Sequence, residues 1–162
     1  MILSPHFRLS ELTRSQTAAR RGIDNTPPAD VVANLRRLCV NVLEPLRALV
    51  GRPIFVSSGY RSPELNELVG GNRRGSHPRG EAADLECPGI DNFRLAQIIR
   101  DNDLPYDQLI LELYVSGVPS SGWVHVSHKE TGNRGECLTA FAEGGGAIRY
   151  ARGLPSTQLP QQ

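Results

Sequence analysis

Two of the four histidines, His77 and His125, stand in polar, glycine-bearing stretches, and Asp84 follows His77 by seven positions. Imidazole nitrogen and carboxylate oxygen are ligands for a borderline ion such as Zn²⁺, and three protein ligands with an open fourth position is the catalytic arrangement. His77, Asp84 and His125 make up that number. The loop Ser76-His77-Pro78-Arg79-Gly80 can turn on its glycine, and Asp84 lies four residues farther along an extended segment that can return its carboxylate to His77. In Trp123–His128, strand alternation puts Trp123, His125 and Ser127 on one face and Val124, Val126 and His128 on the other, so His125 and His128 do not share an ion. The alternative for each histidine is an ordinary hydrogen-bonded core or surface residue.

Two further side chains stand out. Glu112 interrupts the apolar run Leu109-Ile110-Leu111-Glu112-Leu113-Tyr114-Val115, and burying an unpaired carboxylate is costly. A hairpin of the 109–115 and 123–128 strands would aim Glu112 into the pocket of His125, where it could take a proton from water; an edge or salt-bridged glutamate is the other possibility. Arg61 follows a strand in Ser57-Ser58-Gly59-Tyr60-Arg61-Ser62, and its guanidinium could hold a substrate carboxylate or an oxyanion, unless it is a surface arginine at a helix start.

Positioning these residues requires both kinds of regular structure. Ser10 is expected to cap a small helix at Leu9–Leu12, with a break at Gly22 and Asp24-Asn25. Thr26-Pro27-Pro28 then starts a long helix, Thr26 capping and Pro45 kinking it. Its inner face is Val31, Leu35, Leu38, Val42, Leu46 and Leu49. A strand at Ile54–Ser58, a short helix from Ser62-Pro63 to Gly70-Gly71, a loop at 72–80 and a strand at 81–86 follow. Asp91 caps a helix to about Asn102, with Phe93, Leu95, Ile98 and Ile99 inward. The hairpin and a last strand at Cys137–Ala142 complete an α+β pattern of antiparallel strands without a βαβ rhythm. The expectation is one domain over 1–152 and a disordered tail over 153–162.

Composition excludes other roles. A net charge of +1 gives no field for holding a polyanion, so no nucleic-acid partner is expected. No apolar run reaches the length of a membrane span, and the N-terminus lacks a basic region followed by an apolar one, so the chain reads as made in the cytoplasm with no membrane insertion. The 3 cysteines, widely spaced and without a CxxC pair, suit free thiols better than a disulfide framework.

Taken in order, Ser57-Ser58-Gly59-Tyr60-Arg61-Ser62, Ser76-His77-x-x-Gly80-x-Ala82-x-Asp84, Asp107-Gln108-Leu109-Ile110-Leu111-Glu112 and Trp123-Val124-His125-Val126-Ser127 resemble the motifs of the M15 zinc peptidases, in the branch related to D-Ala-D-Ala carboxypeptidase. The resemblance runs from about residue 7 to 142. It implies the hedgehog/DD-peptidase-like α+β fold and one Zn²⁺ per chain on His77, Asp84 and His125. It also implies hydrolysis of peptidoglycan stem peptides, as a carboxypeptidase or an endopeptidase, by a monomer. Compact members occur in phages, so the implied setting is the cell wall after release or a phage particle. Some members carry the catalytic carboxylate three residues before the last histidine ligand, where this chain has Gly122; the resemblance then gives that role to Glu112, with Arg61 on substrate and Ser76, Tyr60 and Gln108 supporting the ligands or touching substrate. The rival implication is a non-catalytic, metal-stabilised wall-binding or interaction module of the same fold.

Overall fold

Alternating apolar and polar residues in the middle of the chain can satisfy both faces of a sheet only if one face is covered, and the helical residues do the covering. The computed structural model describes residues 1–156. A small pair, β1 (Ile2–Ser4) and β2 (Phe7–Arg8), precedes α1 (Leu9–Thr13) and α2 (Gln16–Arg21). A long helix follows as α3 (Ala29–Leu38), a π-helical stretch (Cys39–Leu43) and α4 (Glu44–Val50). Then come β3 (Phe55–Ser58), α5 (Pro63–Leu68), β4 (Ala82–Glu86), α6 (Asn92–Asp101), β5 (Gln108–Glu112), β6 (Trp123–Ser127), β7 (Glu136–Ala142) and β8 (Ile148–Arg152). The large sheet has six strands in the order β3-β4-β6-β5-β7-β8. This is an α+β fold.

One face of that sheet carries Val56, Ala83, Leu85, Val124, Val126, Leu109 and Leu111, buried in one cluster with Leu35, Leu38, Val42 and Leu46 of the long helix and Leu95 and Ile99 of α6. Alternation therefore sends Asp84, His125, Ile110 and Glu112 to the opposite face, which no helix covers to the same extent, and a register irregularity between Val56 and Ser58 brings Ser58 opposite Asp84. From Val31 to Leu46 the helical stripe falls where its periodicity predicts, as do the inner residues of α6; Leu49, expected on the same stripe, is exposed instead, in the last turn after the π-helical stretch has shifted the helical phase.

Several local expectations are corrected. Ser10 lies inside α1, which begins after Arg8, where the Glu11 carboxylate accepts the Arg8 N–H at 2.7 Å. Thr26 does not cap α3: Pro28 stands at its start, and the Thr26 N–H goes to Asp24 Oδ1 at 2.9 Å. The helix continues through Pro45, and the irregularity expected there takes the form of the preceding π turn, closed by the Glu44 N–H on Cys39 O, which puts Pro45 in the first turn of α4, where no N–H is needed. The Ser62 and Asp91 caps form as expected.

In the sheet, β5 ends at Glu112, short of the expected Val115. Leu113 takes a positive φ of 51° and Tyr114 turns away to stack on Phe93 and donate to Asp91. β7 pairs with β5 in parallel, against the expectation of antiparallel strands alone. β8 was not expected, since all five of its residues are exposed and their alternation is brief. Of the expected tail, Gly153 is bonded to Cys137 and Thr139, and residues 157–162 lie outside the described residues. The cysteines form no disulfide, and among the described residues no helix is long and apolar enough to cross a membrane.

Asp107 joins β5 to the segment leading into β7. Burial alone would raise its carboxyl, but Arg134 at 2.8 Å and Lys129 at 3.0 Å hold it down at about 2. A carboxyl depressed in the folded state stabilises above its unfolded pKa, near 4, and loses that contribution as pH falls toward 2. Asp107→Asn is therefore expected to cost on the order of 2 kcal/mol at pH 7, with the deficit shrinking in denaturant titrations repeated at pH 3; a constant deficit would rule the ion pairs out as its source.

Candidate active site

The antiparallel register of β4 and β6 sets Asp84 directly opposite His125, on the face away from the helices. The nearest atoms, Asp84 Oδ1 and His125 Nδ1, are 3.1 Å apart. His77 arrives from the loop after α5, and its Nε2 stands 3.4 Å from the same carboxylate oxygen. The two imidazoles meet edge to face, with centroids 5.2 Å apart. His77 Nδ1 lies 2.6 Å from Gly59 O; a carbonyl only accepts, so Nδ1 donates there and Nε2 is the nitrogen turned toward Asp84.

That carbonyl is available because residue 59 is glycine. A Cβ there would lie 2.4 Å from Leu12 O, where β3 crosses the end of α1 and the Tyr60 N–H bonds Leu12 O at 2.6 Å. The motif position matters through its backbone, which spacing alone does not reveal.

Ligand atoms of His77, Asp84 and His125 all lie within 4.8 Å of one another, and all three residues are buried. Two ligands of one tetrahedral zinc ion, each about 2.05 Å from it, stand roughly 3.3 Å apart, close to the separations here. Burial opposes ionisation of Asp84, but His77 and His125 outweigh it and hold the carboxyl well below the usual range. The donor set is thus one anionic oxygen and two imidazole nitrogens, which fits zinc.

Arg61 is in the site but bonded to the protein. Nη2 donates to Asp84 Oδ2 at 2.8 Å, Nη1 to Asn66 Oδ1 at 3.1 Å and Nε to Ser58 Oγ at 2.9 Å. It fixes the oxygen of Asp84 that does not face the histidines, a positioning role, and two guanidinium N–H groups fall outside these bonds. Ser58 and Asn66, which complete the clamp, were not singled out from sequence; neither type is distinctive without its partner. Arg61 and Ser58 also line one end of a surface groove with Arg14, Thr17 and Phe55.

The other supporting residues fall elsewhere. Tyr60 is buried in the core, its phenol raised by burial and by the charges of Asp24 and Asp30, so its side chain serves another part of the molecule. Ser76 holds the loop through its backbone carbonyl, which accepts the Glu81 N–H at 3.0 Å. Gln108 donates to Glu136 Oε1 at 2.6 Å, one step of the strand away from Ile110, the cross-strand partner of His125. His128 faces the helices, between Asn41 and Pro105.

Glu112 pairs with Trp123 across β5 and β6, on the face of His125. Burial raises its carboxyl, the charge of Asp84 adds to that, and His125 and Arg61 offset part of it. Gly122, three residues before His125, has φ of 63°, and a Cβ on it would stand 1.9 Å from Glu112 O. No side chain fits there without a shift of the backbone, and Glu112 is the carboxylate that the neighbouring strand turns to this face.

Two outcomes follow from this geometry. His77→Ala and His125→Ala are expected to lose bound zinc in metal analysis while His128→Ala keeps it, and Arg61→Ala to weaken it by about 10- to 100-fold as Asp84 loses its anchor. Gly122→Ala is expected to lower the melting temperature by several degrees, since left-handed backbone and the Glu112 carbonyl both oppose a Cβ; unchanged melting would mean the strand shifts freely there.

Comparison with curated proteins finds no match. The family model of Peptidase M15 matches residues 5–127, which spans the Arg61 motif, the three clustered ligands and Glu112. With well over half of its length matched, the chain belongs to the M15 peptidase family.

Proposed function

We propose that this chain is a zinc-dependent peptidase that hydrolyses peptidoglycan stem peptides. The observation that carries the reading is Glu112. It is a half-buried carboxylate that accepts no hydrogen bond among the described residues, on the face that presents His77, Asp84 and His125. An ion held for structure alone needs no such neighbour, which argues against a metal-stabilised binding module. Membership in the M15 family supports peptide hydrolysis, and the resemblance to the D-Ala-D-Ala carboxypeptidase branch supports the wall peptide as substrate.

Zinc bound here supplies an electrophile for the scissile carbonyl and acidifies water. The residues of the chain do the rest. His77 and His125 would offer ring nitrogens to the ion, the first oriented by the Gly59 carbonyl. Arg61 keeps one Asp84 oxygen, leaving the other for the histidine side. Glu112, raised into a range where a carboxylate is a stronger base, takes a proton from the attacking water and returns it to the leaving amine.

Glu112→Gln is expected to keep zinc, to melt at or slightly above the parent temperature because a disfavoured charge is removed, and to lose hydrolysis by about 10²-fold or more. Purified peptidoglycan, with products identified by mass spectrometry, is the substrate to use, and a chelator should abolish the reaction. A folded, zinc-loaded, fully active Glu112→Gln protein would place the base elsewhere; wild-type protein without activity on any wall peptide would favour the binding module.

A further inference from the structure

The family match ends at residue 127, yet the sheet continues through β7 and β8, and its register carries β8 to the site. Two rows of partners cross the strands. Asp84, His125, Ile110, Leu138 and Arg152 form one; Trp123, Glu112, Ala140 and Tyr150 form the other. Ala140 is fully buried, which a methyl group on an open sheet face does not achieve alone, so the longer side chains of its row close over it. Glu112 and Tyr150 flank Ala140 in that row on either side of β7, and the Tyr150 phenol is raised by partial burial and by the charge of Glu112.

β8 turns Ile148, Tyr150 and Arg152 to this face, the first two 44% and 54% exposed. Arg149 alternates to the other side and is paired with Glu143 at 2.8 Å. Glu136, the nearest carboxylate on the site face of β7, is bonded to Gln108 and lies 3.8 Å from Arg134. Arg152 has no ion pair or side-chain hydrogen bond among the described residues, so an exposed cation stands beyond an apolar and aromatic strip on the open face of the sheet.

The chemistry gives this strip a direction. A base that returns its proton to the leaving amine must face it, so the leaving portion lies on the Glu112 side of the ligands, toward β7 and β8 and away from β4. Three strand spacings, about 14 Å, separate the backbones of His125 and Arg152. The arginine arm covers part of that span, leaving room for one or two residues beyond the scissile bond.

Building on the peptidase reading above, we propose that β8 binds a carboxylate carried by the leaving portion of the substrate, with Arg152 as its counter-ion and Tyr150 packed against the leaving residue. That carboxylate is either a free chain terminus or an acidic side chain.

The test is calorimetric binding to zinc-loaded Glu112→Gln protein, which reads affinity without turnover. The probes are diacetyl-L-Lys-D-Ala-D-Ala, the same peptide as its C-terminal amide, and an amidated analogue ending in D-Glu. The free acid is expected to bind about tenfold tighter than the amide, and adding Arg152→Gln should erase that difference without weakening the amide. Tyr150→Ala should weaken all three probes. Recovery of affinity by the D-Glu analogue would identify an acidic side chain as the source, and its absence a free terminus. Equal binding of acid and amide, or a difference that survives Arg152→Gln, overturns the proposal. Failure of the peptidase reading shows separately, as wild-type protein that cleaves no wall peptide, whatever the binding contrast.

Discussion

The pairing of β4 with β6 is the constraint on which the rest depends. Asp84 faces His125 only because Leu85 faces Val124 and Ala83 faces Val126 on the reverse of the same strands. A slip of one residue would turn those apolar side chains to the open face and the polar ones into the core. Fully burying a leucine or valine contributes roughly 1.5–3 kcal/mol, so a slip would cost several kilocalories before the buried carboxylate is counted. The hydrophobic core thus sets the spacing of two candidate metal ligands on the opposite face of the sheet. Glu112 is held by the same logic one strand farther on, since Leu111 and Leu109 fix its alternation from the core side.

His77 has no strand to hold it, and the structure uses polar bonds in place of register. The Gly59 carbonyl orients the ring, while Arg61 ties Asp84 to Ser58 and to Asn66, which in turn donates to Asn72 O in the loop leading to His77. These groups are mostly removed from water, where an unmatched donor or acceptor would cost more than a matched pair gains. Among the described residues no buried side-chain nitrogen or oxygen lacks a partner. The loop therefore reaches a defined position without regular structure, at the expense of requiring glycine at 59 and an amide at 66.

This division explains what could be read in the sequence. His77, Asp84 and His125 stand out by residue type, spacing and ligand number, and Glu112 because it interrupts an apolar run; a two-residue period is enough to separate His125 from His128. The helical stripe of Val31 to Leu46 and the caps at Ser62 and Asp91 are local patterns and survive into the fold. Residues defined by distant partners were illegible or misread. Tyr60 shares a motif with Arg61, yet alternation and the crossing of α1 send its ring into the core. Gln108 lies on the correct face but finds Glu136 through the parallel pairing of β5 and β7, which nothing local announces. β8 is five residues long and exposed throughout, so its brief Ile148-Arg149-Tyr150 pattern gives too little signal to mark a strand, and the exposure that makes it available as a surface is also what concealed it.

The proposed role of Glu112 shows how backbone sterics can decide which strand offers a carboxylate. Some members of the family this chain resembles carry a carboxylate three positions before the last histidine, but here the backbone leaves β5 through Leu113 and returns to β6 through Gly122, and at that return it passes against the Glu112 carbonyl. The turn excludes any Cβ at 122, so the sequence cannot put a carboxylate there while keeping this return. Register offers a substitute: Trp123 opposes Glu112, so a glutamate on β5 occupies ground beside the one forbidden on β6. The exchange changes how the group is supported. A carboxylate in the turn would rely on loop geometry, whereas Glu112 stands at the end of a strand bonded on both sides, to β6 and to β7, and its approach to the ligands is fixed by the same ladder that fixes His125.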